Sequence, residues 1–432
     1  MWHNKHHSIG IAGGALFFMI TAIAQPFFSL YAQALGASTA VIGLLVTGRA
    51  LLPMFIAMPV GQLIDVVGAL TMARIGFFLL VVSVAMTAAS ESLAVLAVGQ
   101  MVLGASIIIT ASSLQVLVSR GAEKARNRNI NRYSMAMSAG GMVGPIVGGA
   151  LVAVAGGGLA GYRFTFVIAT AISLAAAILL QFFMGRGTAK SAEEKRGAQR
   201  SGAMGETMAA VRRAVRPSEV LHSYSSGWKL TRNRGVQFGL AGTFLIMFIQ
   251  VLSMSFVPLL LHSHGYSAWV ISAMVSLSGF AGIVSRVFLD RFIERLGLER
   301  LLIFAGVVAA ASLIAIPPAA ASVVAFGLLT MLSGSAAGMN LPVSIMIMVN
   351  DTAESERGKV MGLRLLVNRI SQMLSPALFG VLGGTVGLAD AFYSGGAFLL
   401  ACVVGFGAVT MPRSPKREMT GGVPAVDPGR QG

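Results

Sequence analysis

Apolar residues fill whole stretches of about twenty positions along this chain, separated by short polar breaks. Twelve such segments run near 9–33, 40–64, 70–90, 93–117, 133–155, 163–184, 236–261, 268–290, 300–319, 322–349, 361–385 and 389–411. Each is long enough to cross roughly 30 Å of hydrocarbon as a helix rising 1.5 Å per residue. None shows the alternating pattern of a membrane strand, so the pattern predicts an all-α protein. Lys5 and the apolar run after it have the outline of a signal peptide. That run continues to Leu35 and eleven further segments follow, so it is read as an uncleaved first helix.

Composition agrees. Of the 432 residues 55% are hydrophobic and 11% charged, against roughly 25% charged in soluble domains. A soluble enzyme, a secreted disulfide scaffold and a disordered chain are excluded. Cys402 is the only cysteine, which rules out an internal disulfide and a thiolate metal cluster. The net charge of +16 would suggest nucleic acid in a soluble protein. Here thirty of the 32 lysines and arginines fall in the two tails, the even-numbered connections or the helix ends beside them; Arg49 and Arg163 are the exceptions. That asymmetry is the positive-inside signal, and it predicts cytoplasmic N- and C-termini and no nucleic-acid partner.

The apolar density breaks once, between Gly185 and Arg234. The predicted organisation is a six-helix half over 1–184, a cytoplasmic linker over 185–235, a second half over 236–411 and a tail over 412–432. Within the linker, 206–216 reads either as a basic amphipathic helix on headgroups or as a solvated tether. The halves resemble each other. Residues 30–38 (LYAQALGAS) align with 259–267 (LLLHSHGYS) at an offset of 229, and Gly104 aligns with Gly334 at 230. Arg126, Gly144-Pro145 and Gly149 align with Arg357, Ser375-Pro376 and Gly380 at 231. Such a repeat predicts two halves related by an axis along the membrane normal.

Two motifs carry a family resemblance. After the second segment stands Gly61-Gln-Leu-Ile-Asp65-Val-Val-Gly68, and the second half has Asp290-Arg-Phe-Ile-Glu294-Arg295-Leu-Gly297 at the matching place. The fifth segment carries Gly140, Gly144-Pro145 and Gly148-Gly149, a spacing that lets helices pack backbone to backbone. Together with the repeat, these resemble the major facilitator superfamily over essentially the whole chain. The first motif keeps that family's glycines, Leu63 and Asp65 but has Val66, Ala69 and Leu70 where its pattern has bases. The resemblance implies that Gly61, Asp65, Gly68, Asp290, Glu294, Arg295 and Gly297 form a cytoplasmic gate. It also likens the fifth-segment motif to one common in exporters, and it implies that the third, sixth, ninth and twelfth segments face lipid. Read by itself, Gly61 suits close helix approach, and Asp65 suits a helix cap or a pairing with a base of the other half.

Polar side chains inside the segments are few. Gln25, Arg49, Gln100, Gln115, Gln250 and Asn340 lie in the first, second, fourth, seventh and tenth segments. Gln25, Arg49, Gln100, Gln250 and Asn340 are the candidate substrate-binding residues. Arg49 lies roughly 14 Å into its helix, where it serves either as an anchor for an anionic substrate or as a packing arginine tied to backbone carbonyls or neighbouring amides. Arg364 and Arg369, in the eleventh segment, are expected to reach back to headgroups. No Asp or Glu lies deep in a segment, so proton coupling would have to use acids at helix ends or the histidines at 262 and 264. His3, His6 and His7 read as a solvated tail rather than a metal site.

No glycine-rich phosphate loop and no nucleophile–base pair occurs, which argues against ATP drive and against an enzyme. The leading expectation is a secondary transporter of small molecules working by alternating access, without cofactor or metal. It would be an exporter of amphipathic compounds or metabolites, with protons as a candidate coupling ion, acting as a monomer in the bacterial cytoplasmic membrane. Met and Phe, 24 of each, suit an adaptable apolar cavity. The alternatives are a facilitator or importer of an organic anion held by Arg49 and, more distantly, a membrane sensor.

Overall fold

A computed structural model describes residues 2–119, 123–196, 229–353 and 356–410. The stretch 206–216 and the tail over 412–432 lie outside them. The order is α1 (Trp2–Ala34), α2 (Thr39–Val67), α3 (Ala69–Ala88), α4 (Leu93–Val118), α5 (Glu123–Val154), α6 (Gly158–Arg196), α7 (Arg234–Ser263), α8 (Ala268–Val287), α9 (Leu289–Leu296), α10 (Leu298–Ala319), α11 (Val323–Asn350), α12 (Arg357–Val386) and α13 (Leu388–Thr410). All but α9 are long and apolar enough to cross a membrane. The protein is therefore an all-α, multi-pass membrane protein. The eighth apolar segment is shorter than expected. It stops at Val287, and α9 follows with Leu289 buried and Asp290, Arg291, Glu294 and Arg295 exposed, because this density of charge does not enter hydrocarbon.

The repeat is written into the turns. Gly36 (φ +89°) ends α1, and Gly265 (φ +81°) ends α7. The next N–H reaches back in the same way at both, Ala37 to the Ala32 carbonyl at 3.0 Å and Tyr266 to the Leu261 carbonyl at 3.1 Å. A glycine takes this left-handed φ without steric cost and so closes the helix. Ser38 and Ser267 then cap α2 and α8 by accepting from Val41 and Val270, both at 3.4 Å. Ser92 and Ser322 cap α4 and α11 likewise. Inside the halves the correspondence persists. Gly104 lies against the Arg49 carbonyl and Gly334 against the Ser278 carbonyl, so a Cβ at either glycine would overlap backbone.

Two seams related by the repeat join the first six helices to the rest, beside a lighter contact of α1 with α7. In one, Gly43 of α2 lies against the Pro376 carbonyl and Gly380 of α12, and the Thr47 hydroxyl donates to the Met373 carbonyl at 3.0 Å. In the other, Gly149 of α5 lies against Ser272 of α8, and the Ser276 hydroxyl donates to the Met142 carbonyl at 2.8 Å. Gly43 pairs with Ser272 in the repeat, and Gly149 with Gly380. The seams are one joint used twice. Both run from mid-bundle to the end remote from the termini, and a cavity begins on their terminal side. Arg163, the base that breaks the charge asymmetry, is tied down at that remote end. It donates to the Ser90 carbonyl at 3.3 Å and lies 3.8 Å from Glu91.

Candidate functional site

The cavity between the halves has a volume of about 390 Å³. Among the residues lining it are Gln25 of α1, Arg49 of α2, Pro145 of α5, Gln250 of α7, and Arg369 and Gln372 of α12. An adjoining lobe of about 280 Å³ shares Gly141, Met247, Gln250, Met254 and Val275 with it and reaches Arg286 of α8. Apolar surface from Phe18, Met142, Met247, Met254, Met274 and Phe326 makes up much of the remaining wall. No Asp or Glu lines either lobe. Glu299 is the second residue of α10 and Asp390 the third of α13, at opposite ends of the bundle and outside both lobes.

Arg49 is half-buried and makes no hydrogen bond or ion pair among the described residues. The expectation that it is tied to backbone carbonyls is not met there. Arg369 donates to the Gln372 amide oxygen at 3.0 Å, and the Gln372 amide donates to Asn368 at 2.7 Å. This ladder within one turn of α12 fixes the guanidinium toward the cavity. The expectation that Arg369 reaches headgroups is thereby corrected: it is a cavity residue. Arg286 donates from Nε to the Gly338 carbonyl at 3.2 Å. Gln25 crosses between the halves, its amide 3.0 Å from the Met254 sulfur.

Other candidates lie elsewhere. Gln100 is buried in α4 and lines neither lobe. Asn340 is fully buried in α11, with both amide atoms unpartnered among the described residues, and likewise lines neither. Ser312 and Ile316 of α10 line the second lobe, so the ninth spanning segment is not purely lipid-facing. Exposed His262 and His264 sit at the remote end of α7, with the His264 ring 2.8 Å from the Leu260 carbonyl. The side chains of His3, His6 and His7 lie outside the described residues. Among those described, no group of three potential metal ligands occurs.

Gly140, Gly144 and Gly148 stand opposite the carbonyls of Ala15, Met19 and Ile23, at four-residue steps on both α5 and α1. On another face of α5, Gly149 meets Ser272 across the seam, while Pro145 borders the cavity. One motif therefore holds a half together, joins it to its partner and shapes the site. The gate motif is less engaged. Gly61 is exposed with open space around it, so it makes no close helix approach among the described residues. Asp65 lies in the last turn of α2, and Gly68 (φ +96°) precedes α3; Asp65 is thus not the cap of a helix start, and its side chain is not described. Asp290, Glu294 and Arg295 are exposed on α9, ending at Gly297 (φ +77°).

Residues 10–342 match the model of the Major Facilitator Superfamily. No curated protein sequence matches the chain. Solved structures share its fold at low identity. The nucleoside transporter NupG is 13% identical over 93% of this chain and 98% of its own, with a TM-score of 0.71. A bacterial homolog of the human lysosomal transporter Spinster, inward-facing and unoccupied, is 14% identical over 95% of both chains, with a TM-score of 0.68. A POT family transporter in complex with 5-aminolevulinic acid is 12% identical over 94% of this chain and 96% of its own, with a TM-score of 0.71.

Proposed function

Because the chain belongs to the major facilitator superfamily, a family of transporters, we propose that it is a secondary carrier of amphipathic organic anions working by alternating access. One observation carries this reading: Arg49 and Arg369, from opposite halves, line a largely apolar cavity that no acid borders. A guanidinium binds carboxylate, sulfonate or phosphate through paired hydrogen bonds, and the methionine-rich walls accept an apolar body of variable shape. Gln25, Gln250 and Gln372 supply further amide donors. The halves 1–184 and 236–411 rock about the two seams as bodies joined by the linker, and both termini are cytoplasmic in a bacterial inner membrane. The cavity then faces the cytoplasm and loads from that side, and the direction is export. With no carboxylate in the cavity, proton coupling through such a group has no support, and the carrier acts as a monomer.

Three naphthalene derivatives of one ring size test the substrate class. The melting temperature of the purified protein should rise with naphthalene sulfonate. It should not rise with naphthalene methanol or naphthyl trimethylammonium. Stabilisation by the cation but not the anion would overturn the reading. Topology has its own check. Protease added outside spheroplasts should leave residues 185–234 intact, and protease in inverted vesicles should cut there. The reverse pattern would invert the orientation.

A further inference from the structure

Resting on the anion reading, we propose that this carrier is an obligate exchanger: it crosses between its two faces only with an anion held between Arg49 and Arg369. The seam bond from Thr47 to Met373 fixes the geometry. Arg49 follows Thr47 by two residues on α2, and Arg369 precedes Met373 by four on α12. The two guanidiniums thus stand on facing helices, one from each half, at the rim where the seam gives way to the cavity. Both line that cavity, and no carboxylate lines it with them.

In the state described here the open cavity can hold water around both charges. Every alternating-access cycle passes through an occluded intermediate in which the cavity is shut on both sides and that water is largely expelled. Two like charges without counterions in a shrinking, methionine-walled space lose their hydration and repel each other. Arg369 has only the neutral Gln372 as a partner, and Arg49 has none among the described residues. Closure around an empty site is therefore the costly path. An anion bridging the two arginines replaces the lost hydration and converts the repulsion into two charge-assisted contacts. Binding energy that exists only once the halves close is what makes the loaded carrier mobile and the empty one stall.

A conformational test needs no ligand. Ser272 is fully buried in the seam against Gly149, and its hydroxyl has no hydrogen-bond partner among the described residues, so Ser272→Cys reports on seam opening at small structural cost. In a Cys402→Ser background and chloride-free HEPES buffer, this thiol should react slowly with a maleimide. Adding Arg49→Gln and Arg369→Gln together should speed the reaction about tenfold or more without any anion, since the closure penalty is gone. Naphthalene sulfonate should accelerate labelling only where both arginines remain. Equal labelling of the two empty proteins would overturn the proposal. In proteoliposomes, uptake of labelled naphthalene sulfonate should be about tenfold faster into vesicles preloaded with the unlabelled compound. Equal rates with and without preloading would sink obligate exchange and leave the anion carrier standing. No uptake in either case would remove the anion reading beneath it.

Discussion

Arg49→Ala is expected to weaken binding of naphthalene sulfonate about ten- to a hundredfold, which corresponds to loss of a charge-assisted contact of roughly 1.5–3 kcal/mol. The melting temperature of the empty protein should stay level or rise. This pairing of outcomes follows from the surroundings of Arg49. A structural arginine would leave carbonyls unpaired when removed, and stability would fall. Here the guanidinium makes no hydrogen bond among the described residues, so its removal breaks none there, and taking away one of two like charges at the cavity offsets the packing lost with its stem. Arg49→Lys keeps the charge but not the two parallel donors, so it should fall between wild type and alanine in affinity. Isothermal titration and thermal unfolding on the same three proteins check the prediction. A destabilised alanine variant with unchanged affinity would return Arg49 to a packing role.

The fold was legible because the membrane leaves few choices. Apolar length, the side on which bases collect and the repeat are all one-dimensional signals, and together they lead to twelve spans with a twofold internal likeness. The aligned stretches 30–38 and 259–267 contain the helix-closing glycines and capping serines themselves, so the turns were legible too. The site was legible only in part. Gln25, Arg49 and Gln250 line the cavity, and their place there is legible because polar atoms inside an apolar run are costly unless they face water or a partner. Gln100 and Asn340 meet the same criterion but lie buried away from the cavity, since hydropathy carries no information on which face of a helix looks inward. Arg369 reads from the sequence as a base that reaches back to headgroups. The depth arithmetic that singled out Arg49 applied to it equally: eight residues past the expected start of its segment is about 12 Å. Gln372, one turn further on, was the signal of a polar stripe along that helix.

Gly148→Ala, a single added methyl, is expected to impair transport as severely as many larger changes elsewhere. A Cβ at 148 would overlap the Ile23 carbonyl and lie 2.9 Å from the Phe27 ring. At 144 it would lie 2.5 Å from the Met19 carbonyl and 2.6 Å from the Ala22 Cβ. Backbone carbonyls within a helix do not step aside as a flexible side chain does, so α1 and α5 must separate. Overpacking of this kind costs about 1–3 kcal/mol. The consequence reaches beyond stability because α5 also carries Gly149 in the seam and Pro145 at the cavity wall. Moving it shifts the contact between α5 and α8 and the cavity wall together. Gly144→Leu and Gly148→Leu should still insert into the membrane, as the segment gains hydrophobicity, yet lose nearly all turnover. Gly141 is the internal control. It lies on the same helix, one residue from Gly140, but borders the cavity with open space where its Cβ would be. Gly141→Ala should therefore keep wild-type melting behaviour. Measuring melting temperature and flux for the alanine variants at 141, 144 and 148 isolates the packing effect from the loss of glycine itself. If all three behave alike, close approach of α1 and α5 is not what the glycines are for.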